Sequence, residues 1–112
     1  MRSIDTLKKQ REWLLSDPTS RKLLTALRRA LQSITRNIFI VHYIPEQYED
    51  IYDILVDGTT VVRIEIPRHG HDGDVVFEKR PIYEYLKKSR TKPSRSKLRL
   101  AIELAHERAS SV

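Results

Sequence analysis

The sequence of 112 residues predicts an α+β fold with two N-terminal helices, an antiparallel sheet of about four strands, and one or two C-terminal helices. Three observations favour this class. Apolar residues recur at helical spacing near both ends, β-branched and aromatic residues concentrate in the middle, and short polar loops separate the middle segments. Short loops join antiparallel strands, and the helices precede and follow the strands, so we expect one α+β domain over residues 1–112.

The N-terminal third predicts two helices. Ser3 is a suitable cap for the first helix, which we expect to end at the tripeptide Ser16–Pro18. Asp17 then caps the second helix, with Pro18 in its first turn, where proline fits because no backbone N–H is needed there. The apolar positions at helical spacing are Ile4, Leu7, Leu14 and Leu15 in the first helix, and Leu23, Leu24, Leu27, Ala30, Leu31 and Ile34 in the second.

The central segment predicts strands and a hairpin. Asn37–Ile44 is almost continuously apolar, as is typical of a strand buried on both faces. Asp57 and Gly58 indicate a tight turn between two strands. A loop of two residues and a loop of three residues would pair these strands in different registers. We expect the three-residue loop, because it gathers apolar side chains on one face and leaves Asp53, Arg63 and Glu65 on the other, within reach of each other. The shared apolar face would contain Tyr52, Ile54, Val56, Val62, Ile64 and Ile66.

The C-terminal part predicts a short strand and two helices. A strand over Val75–Lys79 ends before Pro81, and Ile82–Lys88 has the composition of a short helix. Ser94 is a suitable cap for the last helix. The inner stripe of that helix would contain Leu98, Ala101, Ile102, Ala105 and Ala109.

Composition excludes several functions. The chain has no cysteine, which excludes disulfides, thiolate zinc sites and cysteine nucleophiles. No apolar run approaches the roughly 18 residues that a membrane span needs, and no glycine-rich nucleotide motif is present, so we expect no membrane and no cofactor. Because the absence of cysteine fits a reducing compartment, we expect a cytoplasmic location.

Charge is unevenly distributed along the chain. The net charge is +6, and the isoelectric point is about 9.8. No acid lies between Pro18 and Pro45 or between Tyr85 and Ala101, whereas the segment from Glu46 to Glu78 is rich in acids. The basic residues that we single out as binding candidates are Arg21, Arg28, Arg29, Arg36, Lys87, Lys88, Arg90, Lys92, Arg95, Lys97 and Arg99.

Such runs of positive charge have three interpretations. They can form a solvated surface, bind the phosphates of a nucleic acid or an acidic protein, or meet the acidic hairpin of a second copy in a homodimer. We rank binding first, and expect a small bacterial-type basic module for nucleic acid or another acidic partner. This interpretation assumes that the two basic stretches converge on one surface. A structural or self-associating protein is one alternative.

The segment PRHGHDGDV carries two closely spaced histidines, His69 and His71. Its residues HGHDGD are similar to the H-x-H-x-D-H zinc motif of metallo-β-lactamase-type hydrolases. The aspartate comes one place early, the last histidine is missing, and the chain is too short for that fold. Because zinc sites need three or four rigidly held ligands, and Gly70 and Gly73 favour a turn, we expect no metal here.

A second alternative is metal-independent RNA cleavage. The segment YDILVDGTTVVRIEIPRHGHD resembles the closing hairpin of RelE-type toxins, which runs through an acidic turn into a basic end containing histidine. The RelE fold opens with a strand, whereas this chain opens with a helix, and no motif matches position by position. In such a ribonuclease, Glu65, His69 or His71, and Arg63 or Arg68 would supply the base, the acid and the cation.

Three other side chains are expected to be structural. His42 lies within the apolar first strand, so we expect a buried core histidine. Trp13 is expected to be a packing anchor, and Tyr85 to pack on the core.

Overall fold

The computed structural model describes residues 2–31, 37–68, 75–88 and 92–110, with side chains described over 5–31, 37–68, 75–87 and 97–107. Within these ranges the chain forms four α-helices and one antiparallel sheet of four strands in the order β1-β2-β3-β4. The chain therefore has the α+β arrangement that the sequence predicts. The elements are α1 (Arg2–Ser16), a 3-10 turn (Pro18–Ser20), α2 (Arg21–Ala30), β1 (Ile38–Pro45), β2 (Glu49–Val56), β3 (Thr60–Pro67), β4 (Val76–Pro81), α3 (Ile82–Lys88) and α4 (Lys92–Ser110).

The junction between α1 and α2 is formed as predicted. The carboxylate of Asp17 accepts hydrogen bonds from the backbone N–H of Thr19 at 2.9 Å and from its hydroxyl at 2.7 Å. Pro18 begins the 3-10 turn, which leads directly into α2. Helix α1 begins at Arg2, so Ser3 lies within the helix and not at the predicted cap position before it. Trp13 is confirmed as an anchor: its indole is partly buried against the core, and its N–H donates to the Thr19 hydroxyl.

The β2–β3 hairpin has the expected register. Ile54 lies opposite Val62 and Asp53 opposite Arg63, which leaves a loop over residues 57–59. Asp57 and Gly58 both have positive φ, 52° and 73°, a region that glycine adopts without steric cost. One face of the hairpin therefore carries the predicted apolar set. Asp53, Arg63 and Glu65 lie on the other face, together with the apolar Leu55 and Val61.

Helices cover both faces of the sheet. On one side, which we call the α2 face, α2 packs over the even-numbered apolar residues of β2 and β3. On the other side, which we call the α4 face, α1 and α4 pack over Phe39, Val41, Leu55 and Val61. The first half of β1 is buried on both faces, as its continuous apolar sequence predicts. The residues that α2 contributes to the core are Leu23, Ala26, Leu27 and Ala30, and those that α4 contributes are Leu98, Ala101 and Ala105.

A β-bulge changes the position of His42. The pairing of β1 with β2 shifts between Ile40 and His42, so that His42 lies opposite Asp53. Because a shift of one residue turns every later side chain to the other face, His42 reaches the α4 face instead of the core beneath α2. Its side chain is 40% exposed, and the expectation of a buried histidine is wrong.

The helices within the described ranges include none that is both long enough and apolar enough to span a membrane.

Candidate functional site

A groove runs along the outer surface of α2. Its volume is about 240 Å³, and Val75, the residue before β4, forms one wall. The other lining residues are Arg21 and the residues one, four, five and eight positions after it on the helix, so they share one side of it. We call this feature the α2 groove, and its lining consists of Arg21, Lys22, Thr25, Ala26, Arg29 and Val75.

The groove is basic because α2 is strongly amphipathic. Its apolar residues are buried against the sheet, whereas Arg21, Lys22, Arg28 and Arg29 are exposed. Within the described side chains, no salt bridge neutralises Arg21, Lys22 or Arg29. Like charges at this spacing repel one another, and an anion from outside would relieve that repulsion.

The described basic side chains near the C-terminus lie elsewhere. Lys87 on α3 and Arg99 on α4 are exposed, whereas Lys97 is partly buried and donates a hydrogen bond to Gln10 at 3.2 Å. Burial lowers the pKa of Lys97. Since α2 and α4 pack on opposite faces of the sheet, the described part of the chain does not join its two basic stretches into one surface. The side chains of Arg36, Lys88, Arg90, Lys92 and Arg95 lie outside the described residues.

A buried carboxylate forms the second polar feature. Asp53 lies in β2 on the α4 face, and its side chain has no exposed area. Arg63 donates two hydrogen bonds to it, at 2.8 and 3.0 Å, and the hydroxyl of Tyr85 donates a third at 2.7 Å. Nδ1 of His42 lies 3.8 Å from the same carboxylate. We call these four residues the Asp53 network.

In the Asp53 network, the buried negative charge of Asp53 is neutralised by its neighbours. Hydrogen bonding to Asp53 raises the pKa of Arg63, so the guanidinium stays charged. Burial and the negative charge of Asp53 raise the pKa of Tyr85, so its hydroxyl stays protonated and keeps donating. Among the groups that hydrogen-bond to Asp53, one positive charge and one neutral donor meet its negative charge, and these bonds tie β2, β3 and α3 together.

Of the proposed catalytic residues, the structure describes Arg63, Glu65 and Arg68, and it directs Glu65 and Arg68 to opposite faces of the sheet. Glu65 is half-buried on the α4 face of β3. Arg68 instead donates to Asp50 at 2.9 Å, and Asp50 lies on the α2 face, where it also accepts from Tyr43. His69 and His71 lie outside the described residues. Their catalytic role stays a prediction.

Sequence reasoning missed part of the Asp53 network. The hairpin register predicted that Asp53 and Arg63 share a face. No local sequence pattern predicted the hydrogen bond from Tyr85, because Tyr85 lies 32 positions from Asp53. The cation–π contact of the buried Arg11 with Phe39, with its guanidinium carbon 5.2 Å from the ring centroid, was also missed. The expectation that Tyr85 packs on the core is confirmed.

Among the described residues, no group of three or more histidine, aspartate or glutamate side chains is placed to hold a metal ion. In comparisons with known proteins, no protein-family model, curated protein or solved structure matches this chain.

Proposed function

We propose that this chain is a small basic module that binds nucleic acid through the α2 groove. The observation that carries the proposal is the cluster of three exposed cations, Arg21, Lys22 and Arg29, along one groove without a neutralising salt bridge among the described side chains. A phosphate backbone supplies regularly spaced negative charge, and its binding releases condensed counterions.

The dimensions of the groove suit a phosphate backbone. Arg21 and Arg29 are eight positions apart, which corresponds to about 12 Å along a helix. Duplex DNA presents a charge about every 1.7 Å along its axis, so several phosphates lie within that length. The planar guanidinium of arginine also matches phosphate oxygens with two parallel hydrogen bonds.

The groove is suited to the backbone rather than to the bases. The described residues that line it include no aromatic side chain on which a base could stack. We therefore infer binding with little sequence preference, through phosphate contacts that position a strand without reading it. The proposal includes a cytoplasmic location and requires neither a cofactor nor a metal.

The test uses fluorescence anisotropy with a labelled single-stranded RNA and a labelled DNA duplex. The unmodified chain should bind at low salt and lose affinity steeply as salt rises. The double variant Arg21→Ala/Arg29→Ala should bind roughly tenfold more weakly, because two phosphate contacts are lost. The matched control is Lys8→Ala/Lys9→Ala, which removes the same charge from exposed positions of α1.

Three results would contradict the proposal. Absence of nucleic-acid binding at low salt would rule out the proposal. Equal losses of affinity in the two double variants would show that only the net charge of the chain matters. Degradation of RNA in EDTA that stops in a His69→Ala/His71→Ala variant would favour cleavage instead.

A further inference from the structure

We propose that two copies of this chain pair along the outer edges of β4, which joins their sheets into one antiparallel sheet of eight strands. In each copy β4 ends the sheet, and no described residue forms a ladder with its outer edge. An unprotected edge presents unpaired N–H and C=O groups, which a second strand can satisfy.

The composition of β4 and α3 supports an interface. Val76 and Phe77 in β4 are 56% and 42% exposed, and Tyr83 and Leu86 in α3 are also exposed. Val76 lies on the α4 face and Phe77 on the α2 face, because they pair with Glu65 and Ile64 of β3. The end of β4 therefore exposes apolar side chains on both faces of the sheet, next to an unpaired edge that a second strand could cover.

Charge complementarity identifies the partner strand as a second β4. An antiparallel pair with a two-fold axis through Lys79 places Glu78 opposite Arg80 of the second copy, and this contact occurs twice. Centring the pair on Glu78 or on Arg80 would also oppose like charges at the axis, but it would form no opposite-charge pair in return. Within one chain, Arg80 already donates to Glu78 at 2.7 Å, so pairing would build a network of four alternating charges.

The proposed axis gives Lys79 a special position. The two copies of Lys79 face each other on the α2 face, since Lys79 pairs with Val62 of β3. Like charges directly opposite cost some stability, which an anion bound between them would restore. A two-fold axis perpendicular to the sheet keeps both α2 helices on one side, so the Lys79 pair would lie between two α2 grooves.

In this dimer, a bound nucleic acid would contact the groove of each copy and the central lysine pair. That shared basic surface rests on the proposed function. The pairing of the two β4 strands is independent of it, because the pairing depends only on β4 and α3.

Cysteine cross-linking tests the register, because the chain has no cysteine of its own. In a Lys79→Cys variant the two introduced residues would be opposite each other, about 4.5 to 5.5 Å apart between Cα atoms, within the range of a disulfide. In a Glu78→Cys variant they would be diagonal, about 7 to 8 Å apart, which a disulfide does not span. A Lys8→Cys variant on exposed α1 serves as a control for random collision.

Mild oxidation should give a roughly tenfold excess of covalent dimer for Lys79→Cys over both other variants. Light scattering of the unmodified chain should give twice the 13.2 kDa mass of one copy. Glu78→Lys should return the mass to that of a monomer, whereas Glu103→Lys, with the same charge change on α4, should not.

A monomeric mass for the unmodified chain, or equal oxidation of all three cysteine variants, would overturn the pairing. A dimer that cross-links at position 79 but binds no RNA would support the pairing and overturn the proposed function.

Discussion

Arg63 and the arginines of the α2 groove carry the same charge in different surroundings. Arg63 donates two hydrogen bonds to a carboxylate without exposed area, whereas Arg21 and Arg29 have no acidic partner among the described side chains. A compensated charge of the first kind stabilises the fold, and removing its partner is costly. An uncompensated charge of the second kind contributes little to stability and remains available to a ligand. Net charge alone does not distinguish the two.

The largest stability effect should come from Asp53→Ala. This change leaves Arg63 and the Tyr85 hydroxyl without their acceptor, and we expect a loss of about 3 kcal/mol in the free energy of unfolding. Arg63 is 41% exposed and can turn to water, so the loss should stay below that of a fully buried pair. Urea unfolding followed by circular dichroism measures it. A loss similar to that of an exposed aspartate would mean that the network is not structural.

Tyr85→Phe should have the next largest effect. It removes a single hydrogen bond to the buried carboxylate, and we expect a loss of about 1 to 2 kcal/mol. The control is Tyr83→Phe on the same helix, since Tyr83 is exposed. Equal unfolding midpoints for the two variants would contradict the role of the hydroxyl in holding α3 on the sheet.

Alkaline pH should weaken the fold through Tyr52. Burial raises the pKa of Tyr52 to about 12 from 10.0, so the folded chain keeps a proton that the unfolded chain loses. The resulting stability is present below pH 10 and is lost between pH 10 and 12. We expect Tyr52→Phe to reduce this loss by about 1 kcal/mol, allowing for solvent screening of a partly exposed ring. Urea unfolding at a series of pH values measures the difference, and an unchanged pH dependence would contradict it.

The smallest effect should come from Asp50→Asn. Asp50 and Arg68 form a salt bridge of 2.9 Å, with both side chains partly exposed. Such pairs contribute less than about 1 kcal/mol, and the cost should shrink further in high salt. A loss equal to that of Asp53→Ala would remove the distinction between buried and exposed pairs.

Much of the fold could be predicted because local chemistry determines it. Asp17 and Pro18 mark the helix junction through the hydrogen bonds that a helix start requires, and the parity of β2 and β3 determines which residues share a face. The same parity placed Arg63 beside Asp53. These features depend on residues close together in sequence.

The rest depends on packing that a local pattern does not encode. A bulge in β1 moved His42 from the expected core position to a place beside Asp53. Whether the cations of α2 and α4 meet depends on which face of the sheet each helix covers. The sequence does not determine this, because amphipathic helices of similar composition fit either face. The sequence could therefore identify Arg21 and Arg29 as exposed cations but not the groove that they share with Val75.

The central claim is that uncompensated cations of the α2 groove contact phosphates. The most direct measurement is the slope of log affinity for single-stranded RNA against log salt concentration. In Arg21→Ala/Arg29→Ala the slope should fall by about 1.4 relative to the unmodified chain, at about 0.7 per lost phosphate contact. The slope of Lys8→Ala/Lys9→Ala should stay unchanged. An identical slope for the unmodified chain and the groove variant would contradict the account.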